Sequence, residues 1–220
     1  MCDARLFAPQ IAAFSGGRAL HLPPLTGAAK VEDLAAQVLA DAPPRFALAG
    51  LSMGGIVAME ILRHAPDRVE RLALLNTNPL AEADAVKERR GPQLSAVKAG
   101  GLEALMRDVI APTYFPVGDP RPDILGLCVE MALTLGPDVF VSQSHALMNR
   151  PDQQGTLCEF AGPALVLMGE ADQLCPRDRH DLMHRLMPQS RLEIIRGAGH
   201  LTTLAAPEHV TAALARWLEE

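Results

Sequence analysis

Short apolar runs alternate with helically spaced apolar positions along most of this chain. A mostly apolar run bounded by Gly, Pro or Asn is typical of a strand that is buried on both faces. Five runs of this kind predict strands at residues 18–22, 46–50, 69–76, 164–168 and 191–195.

The segments between these runs place apolar residues every three or four positions, which predicts amphipathic helices. The predicted helices cover residues 5–15, residues 30–40, the segment from residue 53 to Pro66, residues 179–187 and residues 207–218. Strands that alternate with helices in this way predict an α/β fold with a doubly wound, mostly parallel sheet.

The pattern changes between residues 79 and 160. Charged residues become denser, Pro and Gly punctuate the segment, and the apolar residues fall at helical spacing. We therefore expect a helical cap inserted into the α/β domain at residues 79–160, with residues 1–78 and 161–220 forming the core.

Composition narrows the class of protein. The chain has 220 residues, of which 49% are hydrophobic, and a net charge of −6. That is enough apolar surface for one α/β domain, and no basic stripe indicates a nucleic-acid partner. No uncharged apolar run of membrane-spanning length and no signal peptide are evident. Scattered cysteines suit reduced thiols, so we expect a cytoplasmic protein without a membrane partner. The cysteines are Cys2, Cys128, Cys158 and Cys175.

Gly50, Ser52 and Gly54 form the pattern G-x-S-x-G between an apolar strand and an apolar helix. This pattern is the nucleophile elbow, a strained turn that exposes a serine hydroxyl at the carboxyl end of a strand. We expect glycine at both flanking positions because strand and helix approach closely there. The N–H of Met53, at the helix N-terminus, is the candidate oxyanion donor. Taken without their flanking segments, Gly50, Ser52 and Gly54 could also form an ordinary Gly/Ser turn.

Two downstream residues complete a candidate triad. A serine needs a base to remove its proton, and the base needs an acid to hold its tautomer. His200 follows a predicted strand and is the candidate base, and Asp172 follows another and is the candidate acid. Glu170 is the alternative acid, although strand alternation favours Asp172. The amide of Asn76 cannot carry the charge that the acid role requires.

The chain resembles α/β-hydrolases of the esterase, lactonase and C–C hydrolase group over residues 5–218. The blocks GLSMGG (residues 50–55), VLMGEAD (166–172) and GAGHL (197–201) carry the resemblance. It implies a cofactor-free serine hydrolase that cleaves a small carboxylic ester through an acyl-enzyme. The same fold also hydrolyses lactones and C–C bonds, and the residues leave this choice open.

One feature departs from the family pattern. Family members place a strand and a His-Gly or Pro-Gly turn directly before the first helix, and this turn supplies a second oxyanion N–H. Residues 1–7 resemble the segment that follows the turn. We therefore expect the strand position between residues 18–22 and 46–50 to be unfilled, or those two strands to pair. A degenerate form that binds without catalysis is the resulting alternative from another class.

Other residues are weaker candidates. Tyr114, Phe115, Phe140 and His145 lie in the predicted cap and are candidates for the substrate pocket, although cap core is the simpler interpretation of the aromatic residues. His180 and His184 are spaced as in a zinc helix, but no third ligand accompanies them, so we expect a solvated helix face and no metal. The oligomeric state stays open, a homo-oligomer included.

Overall fold

Four parallel strands form the sheet in this computed structural model, which describes residues 1–220. The strands are β1 (Phe46–Leu51), β2 (Val69–Leu75), β3 (Ala164–Gly169) and β4 (Arg191–Ile195), side by side in that order. Parallel strands bring all four carboxyl ends to one edge, so loops far apart in sequence meet there. Four of the five predicted strands are confirmed.

Eleven α-helices accompany the sheet. They are α1 (Ala8–Phe14), α2 (Val31–Asp41), α3 (Met53–His64), α4 (Asp84–Lys98), α5 (Leu102–Leu105), α6 (Pro122–Leu135), α7 (Pro137–Met148), α8 (Gln154–Glu159), α9 (Arg177–Leu186), α10 (Thr202–Ala205) and α11 (Pro207–Glu219). Short 3₁₀ turns occupy Ala4–Phe7, Pro66–Arg68 and Ala111–Tyr114, and one π turn occupies Met106–Ile110. Gly136, at φ 85°, and the proline after it separate α6 from α7.

Side chains alternate across the sheet and build two cores. Leu72 and Leu74 of β2 face a cluster with α2, α3, α8 and α9, whereas Ala73 and Leu75 face a cluster with α1, α6, α10 and α11. The alternation follows from the two-residue period of a strand. Helices therefore cover both faces, which confirms the doubly wound α/β arrangement.

The helices between β2 and β3 do not all belong together. Helices α4 to α7 and the turn at Met106–Ile110 pack around their own apolar cluster, which includes Met106 and Phe140. Helix α8 packs instead on α3 and α9, and its Leu157 lies in the core beneath the sheet. The end of the predicted cap segment thus contributes to the α/β core.

A buried ion cluster joins the two ends of the helical segment from α4 to α7. Glu82, before α4, receives hydrogen bonds from Arg90 at 2.6 and 2.8 Å and from Arg150, after α7, at 2.7 Å. Burial opposes ionisation of Glu82, but the two guanidinium groups outweigh it and hold the pKa of Glu82 below its usual value.

The predicted strand at residues 18–22 does not form, and that prediction was wrong. The segment is irregular, with Leu20 and Leu22 about 40% exposed. β1 pairs only with β2, so its other edge has no strand neighbour. A cavity of about 940 Å³ lies between this free edge and residues 18–22. The cavity thus separates the segment from the edge with which it would pair.

No single helix is long and apolar enough to cross a membrane. Helices α6 and α7 meet the criterion only as a pair, and they are bent by 97° at the break between them.

Candidate active site

Ser52 lies between the end of β1 and the start of α3 in a strained backbone conformation. Its φ is 54° and its ψ is −116°. A non-glycine residue in such a region costs about 1–3 kcal/mol and persists only where its surroundings enforce it. Here the Ser52 N–H donates to Leu75 O at 2.9 Å, and the Thr77 hydroxyl donates to Ser52 O at 2.7 Å. The last residue of β2 and the second residue after the strand therefore hold the turn.

The two glycines of the G-x-S-x-G pattern differ in how closely their surroundings approach. A Cβ on Gly50 would lie 2.3 Å from the carbonyl oxygen of Gly54, so the prediction that residue 50 must be glycine agrees with the structure. A Cβ on Gly54 itself would meet nothing within 4 Å, which contradicts the steric argument at that position. The second close approach involves Gly55, where a Cβ would lie 2.6 Å from the Thr77 side chain.

Ser52, His200 and Asp172 lie in one hydrogen-bonded row. His200 Nε2 is 2.9 Å from Ser52 Oγ, and His200 Nδ1 is 2.8 Å from Asp172 Oδ2. Because a carboxylate only accepts, Nδ1 carries the proton and Nε2 is free to accept the serine proton. His200 and Asp172 are buried, whereas Ser52 is partly exposed. The arrangement can therefore deprotonate a serine that a substrate can reach.

The Asp172 carboxylate has hydrogen-bond donors at both oxygens. Oδ1 accepts from the N–H groups of Leu174 at 2.9 Å and Cys175 at 3.0 Å, and Oδ2 accepts from His200 and from the Asn76 amide at 2.8 Å. Burial opposes ionisation, but these donors together outweigh it and hold the pKa of Asp172 below its usual range. Asp172 is therefore anionic where an imidazolium would form.

Glu170, the alternative acid, lies elsewhere. It is exposed, and its Oε2 accepts from the Gly197 N–H at 3.2 Å. The geometry thus favours Asp172 over Glu170 as the partner of His200.

The N–H of Met53 suits a developing oxyanion. Met53 is the first residue of α3, so its N–H has no acceptor within the helix, and the positive end of the helix dipole lies there. This geometry is compatible with the oxyanion role predicted for Met53.

A comparison with known proteins identifies the family. The model of the Alpha/beta hydrolase family matches residues 2–214, which is nearly the whole chain.

The chain belongs to the alpha/beta hydrolase family.

Similar proteins of known activity and similar solved structures agree with this family assignment. This chain is 26% identical over 196 residues to a pimeloyl-[acyl-carrier protein] methyl ester esterase of Edwardsiella ictaluri, and the match covers 85% of this chain and 74% of the relative. A thermophilic esterase from Thermogutta terrifontis superposes with a TM-score of 0.86 at 26% identity, over 99% of this chain and 86% of that one. The enol-lactonase from Burkholderia xenovorans LB400 shares the fold, with a TM-score of 0.83 at 22% identity over 100% of this chain and 88% of that one. The chain is thus a carboxylic ester hydrolase-like enzyme.

The cavity beside the hydrolase's Ser52 includes one of the four candidate pocket residues. Tyr114 lines this cavity and stacks on His200 at a centroid distance of 5.6 Å. Phe115 and Phe140 are instead buried in apolar clusters, and His145 is exposed. For the two phenylalanines the simpler interpretation, apolar core, describes the structure.

The two spaced histidines on α9 were expected on a solvated face, and for His180 this was wrong. His180 is fully buried, and burial lowers its pKa, so it is neutral. His184 Nδ1 lies 2.8 Å from Ser190 Oγ. Asp172, Cys175 and His200 present ligand atoms within 4.8 Å of one another, but Asp172 and His200 already bind each other. A metal ion there would have to break that hydrogen bond.

Proposed function

We propose that this protein hydrolyses small carboxylic esters through an acyl-enzyme on Ser52, with His200 as base and then acid and Asp172 as the residue that orients His200. The observation that carries the proposal is the hydrogen-bonded row from Ser52 Oγ through His200 to Asp172.

The geometry supports a two-step reaction. Ser52 Oγ attacks the ester carbonyl carbon while its proton moves to His200 Nε2. The Met53 N–H faces the oxyanion of the tetrahedral intermediate. As this intermediate collapses, the C–O bond to the alcohol breaks and the alcohol takes the proton from His200. Water then attacks the acyl-enzyme, His200 accepts its proton and returns it to Ser52 Oγ, and the carboxylic acid is released.

Two findings support an ester as the substrate. Relatives at 25–27% identity are named as methyl ester esterases, and one solved neighbour at 26% identity is named as an esterase. The cavity that Ser52 and His200 share is lined mostly by apolar residues, which suits an acyl group.

Turnover of a short-chain p-nitrophenyl ester tests the proposal. The unchanged chain should hydrolyse it and react covalently with a fluorophosphonate probe, whereas Ser52→Ala should do neither. Ser95→Ala, which removes an exposed serine hydroxyl on α4, is the matched control and should retain both. Equal turnover by the unchanged chain and Ser52→Ala would contradict the proposal.

The same assay separates the alternatives. A panel that adds a lactone and a C–C hydrolase substrate reports which bond is cleaved fastest. A chain that neither turns over any substrate nor labels would favour the degenerate form that binds without catalysis.

A further inference from the structure

Asn76 is a buried, strained residue at the carboxyl end of β2. It is fully buried, and its φ of 45° lies in the left-handed region that few non-glycine residues adopt. Its backbone N–H donates to Leu167 O on β3 at 2.8 Å. Asparagine adopts this region more readily than most other non-glycine residues, and here the side chain reaches the loops that follow β3 and β4.

The side chain of Asn76 connects the loop of the acid to the loop of the base. Its amide nitrogen donates to Asp172 Oδ2 at 2.8 Å and to Gly199 O, next to His200, at 3.3 Å. Its amide oxygen accepts from the buried hydroxyl of Thr202 at 2.7 Å. Both donors and the acceptor of the amide are thus in use, with one partner in the loop of the acid and two in the segment around the base.

The position of the amide determines where the Asp172 carboxylate can lie. Asp172 Oδ2 receives the Asn76 amide and His200 Nδ1, each at 2.8 Å, while Oδ1 is held by two backbone N–H groups. Four donors around one buried carboxylate stabilise it in this conformation. Without the amide, Oδ2 would rest on His200 alone.

We propose that Asn76 is a positioning residue for the hydrolysis proposed above: its amide fixes the Asp172 carboxylate on His200 and joins the two loops that carry them. This inference rests on the proposed function. Asn76 does not line the cavity beside Ser52, so it acts through Asp172 and not on the substrate.

A purely structural role for Asn76 predicts a different response to pH. Asn76→Asp replaces the amide by a carboxyl group of nearly the same shape. While protonated, this carboxyl can donate to Asp172 Oδ2 as the amide does. Two carboxyl groups this close share one proton at low pH, and loss of that proton leaves two repelling carboxylates. A positioning role therefore makes the ratio of the variant's activity to that of the unchanged chain fall as pH rises.

The experiment measures kcat and KM for a p-nitrophenyl ester from about pH 5 to pH 9 for the unchanged chain, Asn76→Ala, Asn76→Asp and Asn78→Ala. Hydrogen bonds to charged groups predict a fall in kcat of about 10- to 100-fold for Asn76→Ala, with KM unchanged. Asn76→Asp should approach the unchanged chain at the acid end and fall at least about tenfold relative to it at the alkaline end. Asn78→Ala, whose side chain holds only the Leu80 N–H, is the matched control and should be unaffected.

Two results would overturn the inference. One is an Asn76→Ala kcat within twofold of the unchanged chain, and the other is an Asn76→Asp activity ratio that stays constant over the pH range. Thermal melting at each pH checks folding, and if Asn76→Ala does not fold, Asn76→Asp carries the test.

A second readout does not depend on turnover. The proton on His200 Nδ1 should give a low-field NMR signal in the unchanged chain that Asn76→Ala weakens, and an unaltered signal would count against the inference. Hydrolysis that is unchanged in Ser52→Ala would instead contradict the proposed function. Failure of the Asn76 inference can therefore be distinguished from failure of the proposed function.

Discussion

The carboxyl edge of the sheet and the free edge of β1 differ in how completely their polar groups are paired. At the carboxyl edge, both oxygens of Asp172 and both nitrogens of His200 have partners within 3.0 Å. Along β1, no strand pairs with the free edge, and Ala47 and Ala49 are exposed beside a 940 Å³ cavity. Buried polar groups require partners, whereas an edge open to water does not.

The two regions meet at Ser52, and the comparison shows which of them holds it. The Ser52 N–H donates to Leu75 O, and Ser52 O accepts from the Thr77 hydroxyl and from the Ile56 N–H of α3. Leu75 and Thr77 lie at the end of β2, with Asn76 between them. Asp172 and His200 follow β3 and β4. The row of three side chains is thus supported by the paired side of the sheet, so the open edge of β1 does not disturb its geometry.

Of the changes at the carboxyl edge, removing the charge of Asp172 should have the largest effect on turnover. Asp172→Asn should lower kcat by about 10⁴-fold, because an amide stabilises the wrong tautomer of His200. Steady-state hydrolysis of a p-nitrophenyl ester measures this. Glu170→Gln removes the nearby carboxylate that binds only the Gly197 N–H, and it should leave kcat unchanged. The opposite ranking of the two variants would assign the acid role to Glu170.

Substitutions in the turn that carries Ser52 should change the stability of the carboxyl edge. Gly50→Ala forces a Cβ against the Gly54 backbone at 2.3 Å and should destabilise the fold by about 1–3 kcal/mol or more. Gly54→Ala meets no atom within 4 Å and lies in helix α3, so it should stabilise by about 0.5–1 kcal/mol. Urea unfolding midpoints of the two variants should move in opposite directions. Equal destabilisation would contradict the steric argument.

The ion cluster of Glu82, Arg90 and Arg150 tests whether a fully paired buried carboxylate must have a role in turnover. Glu82 is as buried as Asp172 but lies outside the triad, so Glu82→Gln should destabilise by about 3 kcal/mol at neutral pH and leave kcat unchanged. The lowered pKa means that the folded state releases this proton more readily than the unfolded state. The stabilisation is therefore present above the ordinary Glu pKa of about 4.3 and lost as pH falls below it.

Urea midpoints at neutral pH and at about pH 3 measure this linkage. The difference between Glu82→Gln and the unchanged chain should shrink at the lower pH. A difference that stays the same would show that Glu82 contributes shape and not charge.

The unpaired edge of β1 should cause weak association between copies of the chain. An unpaired strand edge favours pairing with another copy, and a lysine on the edge suppresses it. Ala47→Lys should therefore lower association in sedimentation measurements by a few-fold. Ala36→Lys adds the same charge on the exposed side of α2 and should have no such effect. Equal effects of the two substitutions would attribute the change to net charge and not to the edge.

Local pattern was sufficient for much of the fold. The runs that became β1 to β4 were predicted within one residue at each end, because each is a short, mostly apolar run bounded by turn or loop residues. The candidate triad followed from the elbow and from two polar residues placed after strands. Residues 18–22 show the limit: their pattern suits a strand, but a strand forms only where a neighbour pairs with it.

By itself, the sequence determined the doubly wound fold, the serine turn and the order of Ser52, Asp172 and His200. Each strand, helix and motif behind these predictions is a local run of residues that can be recognised without its tertiary contacts. Only the tertiary structure decided that Gly55 and not Gly54 is sterically required, that His180 is buried, and that Asn76 binds the acid. Each depends on a contact between distant segments, such as the 2.8 Å from Asn76 to Asp172, across 96 positions of sequence. No periodicity or motif encodes such a distance, because packing sets it.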